Sequence, residues 1–124
     1  MRHLSPFTYQ ELESRICLTT ILFDSHVVDE SGGFVHAADL DGDDDLDILA
    51  SRFGSEFGPD ANDGIVWFEN TDGQGTFGAE RMITDESDGA WEIYAADIDG
   101  DGDQDVVSAS MYGNNVAWYE NLDG

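Results

Sequence analysis

Two short segments of the 124-residue chain place an aspartate at almost every second position, and each segment spans nine residues. The first runs from Asp39 to Asp47 with the sequence DLDGDDDLD, and the second runs from Asp97 to Asp105 with the sequence DIDGDGDQD. We call them comb 1 and comb 2 and number their positions 1 to 9. Crowded carboxylates repel one another unless a cation lies among them, and calcium accepts roughly six to eight oxygen ligands. The combs therefore predict two calcium ions per chain.

The spacing also predicts which positions supply the ligands. Positions 1, 3, 5 and 9 would offer side-chain oxygens, and position 7 would offer a main-chain oxygen. The predicted side-chain ligands are Asp39, Asp41, Asp43 and Asp47 in comb 1, and Asp97, Asp99, Asp101 and Asp105 in comb 2. The predicted main-chain ligands are Asp45 and Asp103. Magnesium fits this set less well because it usually keeps several of its waters.

The similarity between the two halves of the chain extends beyond the combs. Residues 35–39 match 93–97 at an offset of 58, and residues 67–73 match 118–124 at an offset of 51. The first copy therefore carries seven extra residues, which lie in the Gly- and Asp-rich stretch 53–63 and predict a surface loop. A fixed internal period indicates a repeat protein.

The segments that position the combs are short and rich in β-branched and aromatic residues, which is typical of strands. No window predicts a clear amphipathic helix, although residues 7–20 are ambiguous. The predicted strands are 16–23, 26–28, 34–38, 46–51, 65–69, 77–83, 92–96, 105–110 and 115–119. Each comb would join the first strand of a unit to its second, and the turn at 72–75 would join the third to the fourth. This pattern predicts an all-β chain of about two four-stranded β-propeller blades, which is an incomplete propeller.

The chain resembles the FG-GAP/VCBS repeat family, the calcium-bearing propeller blades of integrin alpha subunits and many bacterial surface proteins. The resemblance covers roughly residues 21–124. The residues that carry it are 38–43 with Asp47, 96–107, the strands that contain Trp67 and Trp118, and the segment 75–78. One position departs from the family, since Asp44 stands at position 6 of comb 1 where the family has glycine. A left-handed backbone at Asp44 would cost up to about 1–2 kcal/mol.

The repeat divides the chain into three parts. Residues 1–20 form an N-terminal segment without a firm prediction. Residues 21–83 would contain the end of a preceding blade strand and the first blade. Residues 84–124 would form a second blade that lacks its outer strand.

Composition limits the partners of the chain. It has 28 acidic residues against four basic ones and a formal net charge of −24. Such a surface disfavours binding to nucleic acid or to an anionic membrane. The apolar run at 16–23 is too short to span a bilayer and lacks the features of a signal peptide. Cys17 is the single cysteine, so the chain forms no internal disulfide.

Other chemistry fits the sequence less well. An EF-hand would need glutamate at position 12, where the combs lead to Ala50 and Ser108. The G-x-G-x-x-G pattern at 73–78 is followed by a predicted strand and not by a helix, which favours a hairpin turn over a dinucleotide site. A merely solvated acidic turn and a glycosidase both stay open, although carboxylates grouped as ion ligands serve poorly as proton donors.

The histidines and tryptophans carry weaker signals. The three histidines have no metal-like spacing, and His36 aligns with Tyr94 on a strand, which predicts a role in packing or as a polar cap. Stacking on sugars and packing between blades are both open for Trp67, Trp91 and Trp118.

The resemblance implies a calcium-binding extracellular or cell-surface repeat module for adhesion or for protein or glycan binding, and not an enzyme. The alternatives are a structural subunit of an extracellular assembly or filament, and a non-catalytic part of a secreted hydrolase. An exposed strand edge invites pairing with another chain. We therefore expect self-association, with the segment 16–28 of one copy completing the last blade of another, or else further blades.

Overall fold

The computed structural model describes residues 21–30, 32–53 and 63–124, and this part of the protein is all-β. It contains seven strands and no helix, and hence no helix that could cross a membrane. The strands are β1 (Gly32–Ala38), β2 (Asp47–Arg52), β3 (Gly64–Phe68), β4 (Arg81–Thr84), β5 (Ala90–Ala96), β6 (Asp105–Ser110) and β7 (Asn115–Tyr119).

The strands form two antiparallel sheets in which consecutive strands are neighbours. The first sheet has the order β1-β2-β3-β4, and the second has the order β5-β6-β7. Comb 1 joins β1 to β2 and comb 2 joins β5 to β6, as the sequence predicts. Two sheets do not make a closed propeller.

The predicted strands agree best with the structure near the combs. The predictions for 105–110 and 115–119 match β6 and β7, whereas the fourth strand begins at Arg81 and not at residue 77. Phe77 instead forms an isolated bridge with Asn70 inside the turn. The prediction of strands at 21–23 and 26–28 is wrong, because the described residues 21–30 form no strand. Residues 16–20, Cys17 and most of the predicted loop at 53–63 lie outside the described residues.

The connection between β3 and β4 is a hairpin turn, which confirms the prediction for the glycine pattern at 73–78. The backbone N–H of Thr71 donates to the carbonyl of Thr76 at 2.9 Å, and that of Gly78 donates to the carbonyl of Glu69 at 2.8 Å. No helix follows, so a dinucleotide phosphate would find no helix N-terminus here.

The main hydrophobic core lies between the two sheets. Leu49 and Ile65 of the first sheet are fully buried against Ile93 and Val106 of the second. A smaller cluster, made by Ala50, Val66 and Phe68 with Val28 and Phe77 packed against it, lies on the opposite side of the first sheet. The first sheet therefore has buried apolar side chains on both faces. Successive side chains of a strand point to opposite faces, so a strand buried on both faces is apolar at consecutive positions.

Candidate metal centres

Each comb is a loop closed by an antiparallel strand pair. Ala38 pairs with Asp47 at the base of comb 1, and Ala96 pairs with Asp105 at the base of comb 2. Position 9 therefore lies beside the residue that precedes position 1. The chain must turn back on itself within eight residues, which brings the alternating carboxylates together.

The carboxylate at position 1 organises each loop. Asp39 accepts hydrogen bonds from the backbone N–H groups of positions 4, 5 and 6 of comb 1, at 2.8, 3.1 and 3.0 Å. Asp97 accepts from positions 4 and 6 of comb 2, at 2.7 and 3.1 Å. These hydrogen bonds wrap the backbone of each loop around the carboxylate at position 1.

The wrapped loops need left-handed backbone at positions 4 and 6. At position 4, φ is 75° for Gly42 and 84° for Gly100. At position 6, φ is 71° for Asp44 and 105° for Gly102. Glycine adopts this region without steric cost, whereas a side chain there costs about 1–2 kcal/mol. The expected left-handed Asp44 is therefore confirmed.

The carboxylate at position 9 anchors each loop to the sheet. Asp47 and Asp105 are fully buried. Each accepts the backbone N–H of position 2 of its own comb at 3.0 Å. Each also accepts the backbone N–H of an asparagine that follows the third strand, Asn70 or Asn121, at 2.8 Å. The Asn121 donor is the main reason why the pKa of Asp105 lies below its ordinary value.

Other comb carboxylates carry negative charge that the described residues do not balance. The pKa values of Asp41, Asp45 and Asp99 are raised, first by burial and then by neighbouring carboxylates such as Asp43 and Asp101. Oδ1 of Asp41 is also buried and has no hydrogen-bond partner among the described residues. A buried acceptor without a partner costs about 1–3 kcal/mol, and a bound cation would remove that cost.

Three carboxylates converge in each comb, with ligand atoms within 4.8 Å of one another. They come from positions 1, 3 and 5 of comb 1 and from positions 1, 3 and 9 of comb 2. The converging residues are Asp39, Asp41 and Asp43, and Asp97, Asp99 and Asp105. Six of the ten predicted ligands thus lie where one ion per comb could bind them.

The other four predicted ligands lie outside these groups. Both oxygens of Asp47 accept backbone N–H groups, and Oδ1 of Asp101 accepts the N–H of Asp103 at 2.9 Å. Asp45 points towards Gly73, where an added Cβ would overlap its carboxylate. Their main-chain and side-chain roles as ligands stay predictions.

Asn70 and Asn121 are structural residues of the site to which the sequence patterns assigned no role. The side-chain amide of each donates to the carbonyl at position 8 of its comb, at 3.3 Å. The side-chain oxygen accepts a backbone N–H from the following turn, Gly75 at 3.0 Å or Gly124 at 3.2 Å. Asn121 also donates to the carbonyl of Leu40 in comb 1 at 2.9 Å and so links the two sheets. The signal was their shared position in the repeated strand end, three residues after tryptophan.

A cleft of about 400 Å³ lies beside comb 1 between the two sheets. Asp41, Trp67, Arg81 and Tyr119 are among the residues that line it. The guanidinium of Arg81 lies 4.9 Å from the ring centroid of Trp67 and forms an ion pair with Glu69. Trp67 therefore packs against the core and Arg81, which favours packing over an open sugar-stacking surface.

Two other aromatic predictions have outcomes. The ring of His36 lies 4.4 Å from that of Tyr94, so the predicted packing role of His36 is confirmed. The ring centroid of Trp91 lies 5.3 Å from that of Phe34. Trp91 is 52% exposed and Trp118 is 48% exposed.

Comparison with known protein families finds a match over part of the chain. A family model described as an FG-GAP-like repeat matches residues 54–108, which include β4, β5 and comb 2. Residues 54–108 are therefore similar to an FG-GAP-like repeat, and the predicted resemblance is confirmed over these residues. Comb 1 lies outside the match and is equivalent to comb 2 through its sequence and its hydrogen bonds. No curated protein and no solved structure matches the chain.

Proposed function

We propose that the chain is a calcium-binding repeat module that acts outside the cell in adhesion, with two propeller-type blades and one calcium ion per comb. The observation that carries the proposal is the buried Oδ1 of Asp41, which has no hydrogen-bond partner in the described part of the chain and lies within a group of three converging carboxylates. The same spacing in comb 2, inside the matched repeat, supports the second ion.

The donor set favours calcium over other metals. The converging atoms are all carboxylate oxygens, which are hard ligands, and no histidine or cysteine belongs to either group in the described part of the chain. Calcium tolerates irregular shells of roughly six to eight oxygens at about 2.3–2.6 Å, whereas magnesium requires a nearly ideal octahedron. Loops with several flexible carboxylates therefore suit calcium.

Different positions of each comb have different structural roles. Position 1 folds the loop and position 9 fixes it to the strands. Position 3 belongs to the converging group in both combs, together with position 5 in comb 1 and position 9 in comb 2. A bound ion would supply the positive charge that the converging groups lack. With that charge balanced, the loop would hold the first, second and third strands of its sheet in register at one edge of the blade.

A protein or a glycan is the partner class that fits best. The net charge of −24 favours a partner with a basic surface and disfavours nucleic acid and anionic membranes. The cleft beside comb 1 offers Arg81 and Tyr119 for a polar ligand. A catalytic role is not supported, because the comb carboxylates are committed to backbone donors and to ion binding. A structural subunit of an extracellular assembly is the second candidate, and the exposed apolar side of β6 and β7 favours it.

Calorimetric titration of chelator-stripped protein tests the ion sites. We expect two calcium ions per chain and much weaker binding of magnesium. Asp41→Asn should remove one site and Asp99→Asn the other, because each substitution deletes a converging charge at nearly constant shape. Asp85→Asn is the matched control, since Asp85 is exposed and lies outside both combs. No binding, or equal affinity for magnesium, would contradict the proposal.

A glycan array and a panel of extracellular proteins, probed in calcium and in chelator, separate the two functional candidates. A ligand bound only in calcium supports adhesion. An absence of ligands together with ordered assembly of the chain favours the structural subunit.

A further inference from the structure

The internal interface between the sheets uses a defined set of residues on the first sheet. Leu49 of β2 pairs with Trp67 of β3, and Ser51 pairs with Ile65. Directly opposite residues of antiparallel strands lie on one face, so these four face the second sheet together. Leu49, Ser51 and Ile65 are fully buried there.

The second sheet repeats this face on its other side. Val107 of β6 pairs with Trp118 of β7, and Ala109 pairs with Val116, which is the same pairing one repeat later. We call these four residues the open face. Val116 is 75% exposed and Trp118 is 48% exposed. The open face therefore presents, without a cover in the described part of the chain, the surface that the first sheet buries.

The surface of the second sheet that contacts the first sheet also has an equivalent in the other repeat. The second sheet contacts the first through a row of paired residues on β5, β6 and β7. The row is Ala95, Val106 and Tyr119. Its equivalent on the first sheet is Ala37, Ile48 and Phe68, paired in the same way. We call that equivalent row the outer face, and a cavity of about 500 Å³ lies against it. Ala37 is exposed and Ile48 is half-buried, whereas Phe68 is 4% exposed and belongs to the cluster against which Val28 and Phe77 pack.

One hydrogen bond crosses the internal interface, and the repeat places an equivalent donor and an equivalent acceptor elsewhere in the chain. Asn121 donates to the carbonyl of Leu40, at position 2 of comb 1. The equivalents one repeat away are Asn70 and position 2 of comb 2, which is Ile98. Leu40 is 7% exposed, whereas Ile98 is 46% exposed. The side-chain amide of Asn70 has two hydrogens, and among the described residues it donates only one of them, to a comb 1 carbonyl.

We propose that the open face of one chain binds the outer face of a second copy and repeats the internal interface, with Asn70 of one copy donating to the Ile98 carbonyl of the other. The contact joins two different surfaces, so it is heterologous and leads to a ring or to an open chain of copies. Each added copy contributes two sheets to a continuous stack. The contact does not require that the combs bind an ion.

Two features of the described residues shape this contact. Val28 packs against the outer face, but its neighbours Val27 and Phe23 are 78% and 91% exposed. A second copy bound to the outer face would therefore displace Val28 from it. Each chain carries a net charge of −24, and salt screens repulsion between like-charged copies. Association therefore increases with ionic strength.

Sedimentation velocity over a concentration series tests the contact with the full chain. The wild type should form species larger than a monomer, and their fraction should rise with protein concentration and with salt. Val116→Arg on the open face and Val35→Arg beside the outer face should each abolish these species. Met111→Arg adds the same charge at an exposed position away from both faces and should associate like the wild type. Circular dichroism verifies that the variants are folded.

Mixing the two blocked variants gives the decisive result. Val116→Arg keeps an intact outer face and Val35→Arg keeps an intact open face, so an equimolar mixture should form a dimer and nothing larger. A wild type that is monomeric throughout the series overturns the proposal. So does a Val35→Arg chain that dimerises by itself, because two open faces would then bind each other, and so does a mixture that stays monomeric.

Discussion

Ile65 and Val116 occupy the same position in the two sheets, yet Ile65 is fully buried and Val116 is 75% exposed. The two residues have similar shape, the same strand position and equivalent pairing partners. The difference arises because a second sheet covers Ile65 and none among the described residues covers Val116. The repeated sequence thus determines which side chains form a face, and the neighbouring sheet determines whether that face is buried.

The combs differ in the same way. The converging carboxylates of comb 1 are mostly half-buried, and those at positions 1 and 3 of comb 2 are exposed. Asn121 and the second sheet lie over comb 1 through Leu40. Comb 1 therefore loses more hydration, and it also contains the strained Asp44. We expect comb 1 to depend more strongly on its cation and on its neighbours.

Removal of calcium should have the largest effect because it acts on both combs. A ligand present at 100 times its dissociation constant stabilises the fold by about 2.7 kcal/mol for each site. Differential scanning calorimetry in chelator should therefore show a large fall in Tm. Asp43→Asn and Asp101→Asn each weaken a single comb, so each should lose part of the calcium-dependent shift. An unchanged Tm in chelator would show that the ions do not stabilise the fold.

Truncation of the side chains at these two equivalent strand positions tests the comparison of the sheets directly. Ile65→Ala should lower the free energy of unfolding by about 2–5 kcal/mol, because it leaves a cavity in the main core. Val116→Ala should change it by no more than about 0.5 kcal/mol, because that side chain is exposed. Urea unfolding at a protein concentration low enough to keep the chain monomeric measures both. Equal losses would contradict the difference in burial.

The asparagine anchors should differ by one hydrogen bond. Asn121→Ala and Asn70→Ala both remove a bond to position 8 of a comb, but only Asn121 also bonds to Leu40 across the sheets. Asn121→Ala should therefore cost about 0.5–1.5 kcal/mol more than Asn70→Ala. Chemical unfolding of both variants in calcium measures the difference, and a larger loss for Asn70→Ala would refute the cross-sheet role.

Position 6 of the combs allows a reciprocal exchange. Asp44→Gly should stabilise the chain and Gly102→Asp should destabilise it, each by up to about 1–2 kcal/mol, because both positions have left-handed backbone. An added Cβ at Gly102 meets no atom within 4 Å, so the cost there is conformational and electrostatic and not a clash. Thermal unfolding of the single and double variants checks the signs.

Acidification in chelator should give the smallest effect, with two opposite phases. The pKa values of Asp41, Asp45 and Asp99 are raised, so the charged forms of these groups destabilise the fold. The free energy of unfolding therefore increases as the pH falls through these pKa values and the groups become protonated. Asp105 has a lowered pKa, so its contribution is present above the ordinary value of 3.8 and is lost as the pH falls through the folded value. Stability measured by urea unfolding should therefore rise slightly and then fall. A monotonic loss from neutral pH would contradict this assignment.

Much of the fold and of the candidate site could be predicted from local sequence. The alternation of aspartates located both combs, and the repeat offsets located the strands that flank them. The left-handed backbone at Asp44 followed from the glycine that the resembled family has at position 6. These features depend on residues close together in the chain, so spacing and residue type determine them. The exception is the segment 21–28, where strand-like composition was not enough because a strand exists only beside a partner.

The tertiary structure decided the features that depend on distant residues. The burial of Leu40 and the exposure of Ile98 depend on which sheet lies over each comb. The bond from Asn121 to Leu40 joins residues 81 positions apart, which no local pattern indicates. The isolated Oδ1 of Asp41 likewise results from desolvation by surrounding elements. The sequence therefore determined two nearly identical loops on two nearly identical sheets. Packing buried one member of each pair and left the other exposed, because the burial of an element depends on the neighbour that contacts it.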